Sequence, residues 1–368
     1  MSQMTFFLAK GGDRFFEIMF DIGKLGQCHG LHILAWFGLE KYIHDSIFLY
    51  KELDINVRDG KGRTPLAVAV AFGREDITKF LLDQENVNVN TRNICGETLI
   101  SSTITKNKDP SRLVNLLIQR KDLDINSQCQ TSHNLLRSVM MIEKRLGATE
   151  YVPDIPKTNS RNKHVVLKIN NILTIYDISM CSHLDKSTGE SILSHATFAG
   201  LESIARLILQ REDLNVNAKD KLGITAFHHA AAFCSVELFN DFLSRPDLDI
   251  NATYGNDQHS ILSLLINCFQ ENKLKLLLQQ KRLDVNVPDR HGETALMDAV
   301  WFGNENMVKL LLSRSDIDIN AKNVHGDCAL SLAVRFGDTA IVQLLHEAGG
   351  SATHQLSTIT DGFELRLH

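Results

Sequence analysis

A four-residue phrase recurs along the chain at nearly constant intervals, and that period limits the fold more than any other feature. Leucine or isoleucine, then aspartate, a hydrophobe and asparagine, ends at Asn56, Asn126, Asn251, Asn286 and Asn320, with VNVN ending at Asn90 and LNVN at Asn217. Successive copies lie 34, 36, 91, 34, 35 and 34 residues apart. Eight or nine residues after each well-formed copy, a small residue opens an apolar helical run, as in GRTPLAVAVAFG from Gly62, GITAFHHAAAFC from Gly223 and GETALMDAVWFG from Gly292. A second apolar run follows, such as DITKFLL or NMVKLLL. The unit is a short extended turn, a helix, a tight link and a second helix. No single unit of this size covers its own apolar face, so its stability has to come from stacking on neighbours.

A unit of this length opening its first helix on a TPLHxA-like phrase resembles the ankyrin repeat, and the resemblance runs from about residue 29 to 350. It holds in register. Thr64, Thr98, Ser191, Thr225, Ser260, Thr294 and Cys328 stand at the Thr position, where a hydroxyl caps the first helix. Gly38, Gly73, Gly200, Gly303 and Gly337 end that helix where a left-handed residue is wanted. The wording LLSRSDIDINAKN is also similar to repeats of filamentous-fungal ankyrin proteins, which implies nothing about function. The resemblance implies an all-α ankyrin-repeat solenoid of about nine helix-turn-helix repeats joined by short hairpin loops.

The long interval hides an irregular repeat. Taking one 34-residue period from 91 leaves one further period and 23 residues. Counting on from Asn126 makes NLLRSVMMIEKRL its first helix, with Val165, Ile169, Ile172, Leu173 and Tyr176 at helical spacing in the second and His183 in place of the motif Asn. The surplus falls between them, in a locally basic stretch holding Pro153 and Pro156. The expected organisation is a capping segment over 1–28, repeats one to three over 29–126, an irregular fourth repeat over 127–183 with a loop over 147–164, repeats five to nine over 184–350, and a tail over 351–368.

Composition narrows the function classes. Thirty-nine Lys and Arg against 44 Asp and Glu give a formal charge of -5, without the cationic surplus that holds a phosphate backbone, so no nucleic-acid partner is expected. The seven cysteines, at 28, 95, 129, 181, 234, 268 and 328, form no CxxC pair and read as neither a disulfide framework nor a zinc cluster. They fit a reducing compartment, cytoplasmic or nuclear. No apolar run approaches the 18 or so residues of a membrane span, and MSQMTFFLAKGGDRFF lacks the layout of a secretory signal, so no membrane partner is expected. Walker A, HExxH, GxSxG, GxGxxG, EF-hand and kinase patterns are absent, leaving no expected cofactor or metal and a non-catalytic default.

In ankyrin proteins, the exposed side of the first helix and the hairpin tips line a concave groove that binds partners. The two positions before the helix-ending residue face that groove by this resemblance, and they hold Trp36 and Phe37, Phe72, Phe198, Phe233, Trp301 and Phe302, and Arg335 and Phe336. Both tryptophans of the chain fall there, the residue type most enriched at binding hot spots. Exposure is expected for the tryptophans, while each Phe either faces the groove or packs on the next link. Lys61, Arg63, Arg290, His291, Glu293 and His325 at the hairpin tips would set specificity. His32 and His228 stand at the TPLH histidine position, where the family histidine hydrogen-bonds between adjacent turns. His195, His229 and Asp298 occupy a position usually apolar, and are the proton-transfer candidates if the chain is an enzyme.

The leading expectation is therefore a monomeric scaffold that binds another protein through an aromatic-rich groove. The alternative is a binder of a hydrophobic small molecule, or an unusual enzyme cyclising or isomerising one, with the groove closed by 147–164 and the proton moved by Asp298, His229 or His195. A module of a larger assembly with no activity of its own is the third.

Overall fold

A computed structural model describes residues 30–49, 53–107, 109–128 and 189–351. Among these, sixteen helices fall into eight consecutive pairs: α1 Gly30–Phe37 with α2 Glu40–Leu49, α3 Pro65–Ala71 with α4 Glu75–Leu82, α5 Leu99–Lys106 with α6 Ser111–Ile118, α7 Ile192–Phe198 with α8 Glu202–Leu209, α9 Ala226–Phe233 with α10 Val236–Leu243, α11 Ile261–Asn267 with α12 Glu271–Leu278, α13 Ala295–Phe302 with α14 Glu305–Leu312, and α15 Ala329–Phe336 with α16 Thr339–Glu347. No strand forms among the described residues, and one isolated antiparallel bridge joins Tyr254 to His259. The expected capping segment, all but the first two residues of the irregular repeat with its loop, and all but the first residue of the tail lie outside the described residues.

The first helices start and stop where the sequence says. Oγ of Thr64, Ser191, Ser260 and Thr294 accepts the backbone N–H three residues on, and Thr98 exchanges such bonds with Ser101. Cys328 has no hydroxyl to offer, and there Ser331 Oγ accepts the Cys328 N–H at 2.9 Å. At the other end the five glycines take φ between 65° and 76°. The left-handed turn then returns two N–H groups to the helix: Gly73 to Val70 O and Arg74 to Ala69 O, at 3.1 and 2.9 Å. In the sixth pair Phe269 adopts the same conformation, φ 55°, without being glycine.

The recurring phrase explains itself once its alternation is seen. Its hydrophobes are buried, as with Leu123 and Ile125, Leu248 and Ile250, or Leu283 and Val285. The Asp carboxylate accepts the backbone N–H of the Asn two residues on, at 2.8–3.1 Å from Asp54, Asp124, Asp249, Asp284 and Asp318. That turn aims each Asn amide at the next repeat. Asn56 donates to Asn86 O and accepts from Asn88 N, and Asn90, Asn217, Asn251 and Asn286 repeat the pattern.

Two compact units divide the chain: Met1–Asn134 with Asp185–Ala196 and Leu201–Asn215, and Leu135–Leu184 with Thr197–Gly200 and Val216–His368. In the first, α1 packs on α3 and α3 on α5, while α2, α4, α6 and α8 form the second layer. In the second, α9, α11, α13 and α15 stack in order against α10, α12, α14 and α16.

One stacking step joins repeats that lie far apart in sequence. Asn126 Nδ2 donates to Asp213 O and Asn215 N–H donates to Asn126 Oδ1, both at 2.7 Å, and α6 packs on α8. The third repeat thus docks directly on the one numbered fifth from the sequence. Counting periods along the chain orders segments in sequence, whereas the amide ladder orders neighbours in space. Arg211 fastens the same junction: its guanidinium donates to Ile118 O, Arg120 O and Leu123 O at 2.9, 3.0 and 3.3 Å while held by Asp213. Arg120, Arg282 and Arg314 reach preceding carbonyls in the same way, a term the sequence reading missed although R-x-D recurs at 120, 211, 245 and 314. Arg211→Ala is expected to lower stability by about 2 kcal/mol, because charge-assisted bonds to three carbonyls are lost. Urea midpoints of the two proteins at equal m-value would measure it.

Candidate functional site

The aromatic positions before the helix-ending residue occur in both units. In the first unit Trp36, Phe37 and Phe72 are 46, 47 and 41% exposed. Trp36 stacks on Phe37 and on Phe72, with centroids 5.9 and 5.2 Å apart and planes 15° and 22° off parallel. The guanidinium of Arg74 donates from Nε and Nη2 to Trp36 O at 3.1 and 3.0 Å, which fixes a cation beside the cluster. The next repeat carries Lys106 at the Phe72 position, held by Glu97 at 2.6 Å.

In the second unit the rings are half-buried. Phe198 meets Phe233 edge-on at 5.9 Å, and Trp301 meets Phe336 at 5.0 Å with planes at 90°. Trp301 therefore differs from its expected exposure: it is half-buried, with the ring of the following repeat edge-on against it. Phe302 packs against Phe269, the residue at φ 55°, 5.5 Å away. Sequence reasoning missed Phe269, since it stands where a glycine was sought. Arg335 is exposed and pairs with Asp327 at 2.6 Å.

The polar residues of the first helices are buried. His32 Nε2 donates to Arg63 O at 2.8 Å and His228 Nε2 to Ala252 O at 3.2 Å, the expected bonds to the neighbouring turn. His195 lies 3.8 Å from Glu190. His229 packs on Phe198 at 5.1 Å. Asp298 neighbours Tyr254, whose phenol is pushed above its ordinary value by burial first and then by Cys268 and Asp298. A small cleft in the first unit, between Val89, Leu99, Leu123 and Ile192, contains none of His195, His229 and Asp298. No group of three His, Cys, Asp or Glu with metal-binding geometry occurs among the described residues.

Lys273 is the least expected residue of the second unit. It lies on α12, 1% exposed, and its ammonium donates to Ala230 O and Ala231 O of α9 at 3.0 and 2.9 Å. Its register position holds Ile77, Leu113, Ile204, Leu238, Met307 and Ile341 in other repeats, all buried, which is the signal that marks it.

Comparison with known proteins agrees with the geometry. The family model of ankyrin repeats matches residues 31–129, 242–323 and 265–356, together more than half of the chain. Stacked helix pairs, an amide ladder and hairpin tips joined by backbone bonds such as Val324 N–H to His291 O define a repeat protein of this kind. The chain belongs to the ankyrin-repeat family. It is similar to an ankyrin repeat protein of Rickettsia bellii (strain RML369-C), 29% identical over 132 residues, which cover 36% of this chain and 71% of that protein. It is also similar to the NF-kappa-B inhibitor cactus of Drosophila yakuba and of Drosophila melanogaster, 44% identical over 69 residues in each. Those 69 residues are 18% of this chain and only 14 and 13% of the two cactus proteins. No helix among the described residues is long and apolar enough to cross a membrane.

Proposed function

We propose that this chain is a non-catalytic scaffold that binds a partner protein through the first-helix faces of its repeats. The observation that carries the reading is the exposed Trp36, Phe37 and Phe72 cluster. Contiguous exposed aromatic surface marks a contact site, and a Trp so placed is the residue type most enriched among energetic anchors. Repeat arrays use such extended faces for binding. The relatives named as inhibitors of NF-kappa-B act, by that name, on another protein, which supports a protein partner over a small molecule. The half-buried Trp301 and Phe336 pair forms a second, smaller anchor, with Arg335 beside it for specificity.

The test is recovery of the partner with the full chain, followed by titration of that partner against Trp36→Ala and Trp301→Ala. Trp36→Ala is expected to weaken binding by at least about 1–2 kcal/mol, roughly five- to thirtyfold, and Trp301→Ala by less. Affinity unchanged in both variants would remove these faces from the binding site.

A further inference from the structure

The amide ladder does not stop at the last described helix. After α16 the left-handed Gly349, φ 94°, turns the chain back, with Gly349 N–H donating to His346 O and Gly350 N–H to Leu345 O at 3.0 and 2.8 Å. Between repeats, a phrase Asn donates to the carbonyl just before the next phrase and accepts an N–H two residues on. Asn286 does so with Asp316 O and Asp318 N–H, both at 2.7 Å. Asn320 builds the same rung with the segment after α16. Its Nδ2 donates to Gly349 O at 3.5 Å, and its Oδ1 accepts the Ser351 N–H at 2.7 Å and the Ser351 hydroxyl at 3.1 Å. The Cys328 thiol donates to Ser351 O at 3.5 Å. A Cβ on Gly350 would fall 2.8 Å from Leu345 O, so the chain is held closely against the end of α16. Gly349 to Ser351 therefore stand where a following repeat's phrase would begin.

The face beside this rung is only partly covered. Ile319, Val334 and Val342 are half-buried, although their register positions are buried in every preceding described repeat, as with Val285, Val300 and Val308 in the one before. They lie on the phrase, on α15 and on α16, so the opening spans both layers of the repeat. An end unit with uncovered apolar positions needs something laid over it, because stacking supplies the stability of such arrays.

We propose that residues 352–368 of this chain cover that face and close the array. These residues lie outside the described ones, and Ser351 delivers them to the edge of the open face. Their sequence, ATHQLSTITDGFELRLH, brings Leu356, Ile359, Phe363, Leu365 and Leu367, the last three alternating with Glu364 and Arg366 in a pattern with one apolar side. At about 3.3 Å per residue, seventeen residues reach well past a helix of nine. The tether favours this occupant over a second copy of the chain, since a segment already fixed at Ser351 meets the face at a high local concentration.

Hydrogen exchange read by mass spectrometry tests this on the full chain, on the double variant Phe363→Asp with Leu365→Asp, and on a chain ending at Ser351. Amides of α15 and α16 are expected to exchange at least about tenfold faster in both altered proteins, because an end repeat that loses cover over aliphatic side chains opens locally. Amides of α9 to α12 should keep their rates and serve as the reference. The double variant keeps the full length, so the same amides are read even where the shortened chain does not fold. Equal α15 and α16 rates in the parent and the double variant would overturn the proposal. It would also be overturned by a parent that sediments as a dimer, becomes a monomer in Val342→Lys, and exchanges at rates that the tail substitutions leave unchanged, which would assign the face to a second copy.

Discussion

Lys273→Met is expected to lower the stability of the second unit by about 3 kcal/mol, although methionine matches the apolar stem and suits its neighbours. The reason lies in α9. It ends at Cys234 in extended conformation, φ -93°, because Ser235 immediately caps α10. No left-handed residue turns N–H groups back onto it. In the repeat of α3, Gly73 and Arg74 satisfy the carbonyls three and four residues before the glycine. The equivalents in α9 are Ala231 O and Ala230 O, and those are the two that the Lys273 ammonium meets. Ala230 O also receives Cys234 N–H at 3.3 Å, whereas methionine would give Ala231 O nothing in return. Against this loss stands the relief of an ammonium buried to 1% exposure, 5.9 Å from the Phe239 ring centroid. The bonds outweigh the desolvation relief because a buried helix end without partners is itself penalised. Urea unfolding of the variant measures the balance, and an unshifted midpoint would mean that the two terms cancel.

A second large effect concerns pH. His228 is fully enclosed, and its imidazole is pushed down to about 3, by burial first, then opposed by its bond to Ala252 O. Nε2 carries the proton donated to that carbonyl, and Nδ1 accepts the Thr225 N–H at 3.1 Å. Protonating Nδ1 would set one N–H against another. The folded state therefore keeps this ring neutral where an unfolded chain, with an ordinary value near 6.5, takes up a proton. The contribution is complete above pH 6.5 and is lost as pH falls from there towards 3, at about 1.4 kcal/mol per pH unit over most of that window. By pH 4 the loss reaches about 3 kcal/mol. In His228→Gln the dependence of stability on pH between 6 and 4 should be shallower by close to one proton, whatever the variant's stability at neutral pH. Equal slopes in the two proteins would show that the buried ring takes up its proton in the folded state.

Much of this molecule was legible as text. A 34-residue period, a hydroxyl before each apolar run and a glycine after it are local requirements of a helix pair, and each is met by one or two residues in sequence. The caps at Thr64, Thr98 and Ser260 and the positive φ of Gly303 and Gly337 follow directly. The aromatic positions were legible too, through register alone. Their exposure was not, because it depends on how the next repeat meets them: Phe72 stacks nearly parallel on Trp36, which stays 46% exposed, while Phe336 meets the half-buried Trp301 edge-on. The proton-transfer candidates were oddities in the text, and all three are buried in the fold, His195 near Glu190, His229 against Phe198 and Asp298 near Tyr254.

Lys273 and Arg211 mark where reading along the chain ends. A lysine in an apolar slot and a helix lacking its glycine stand 39 residues apart, and only stacking reveals that one completes the other. The partner of Asn126 is nearly ninety residues away, where a count of periods would place it at one repeat's distance. Sequence by itself determined the repeating unit, because capping, turning and apolar spacing act within a few residues. Which units touch, and whether a ring or a charge there is covered, was decided by the tertiary structure, because burial and pairing depend on neighbours that sequence distance does not specify.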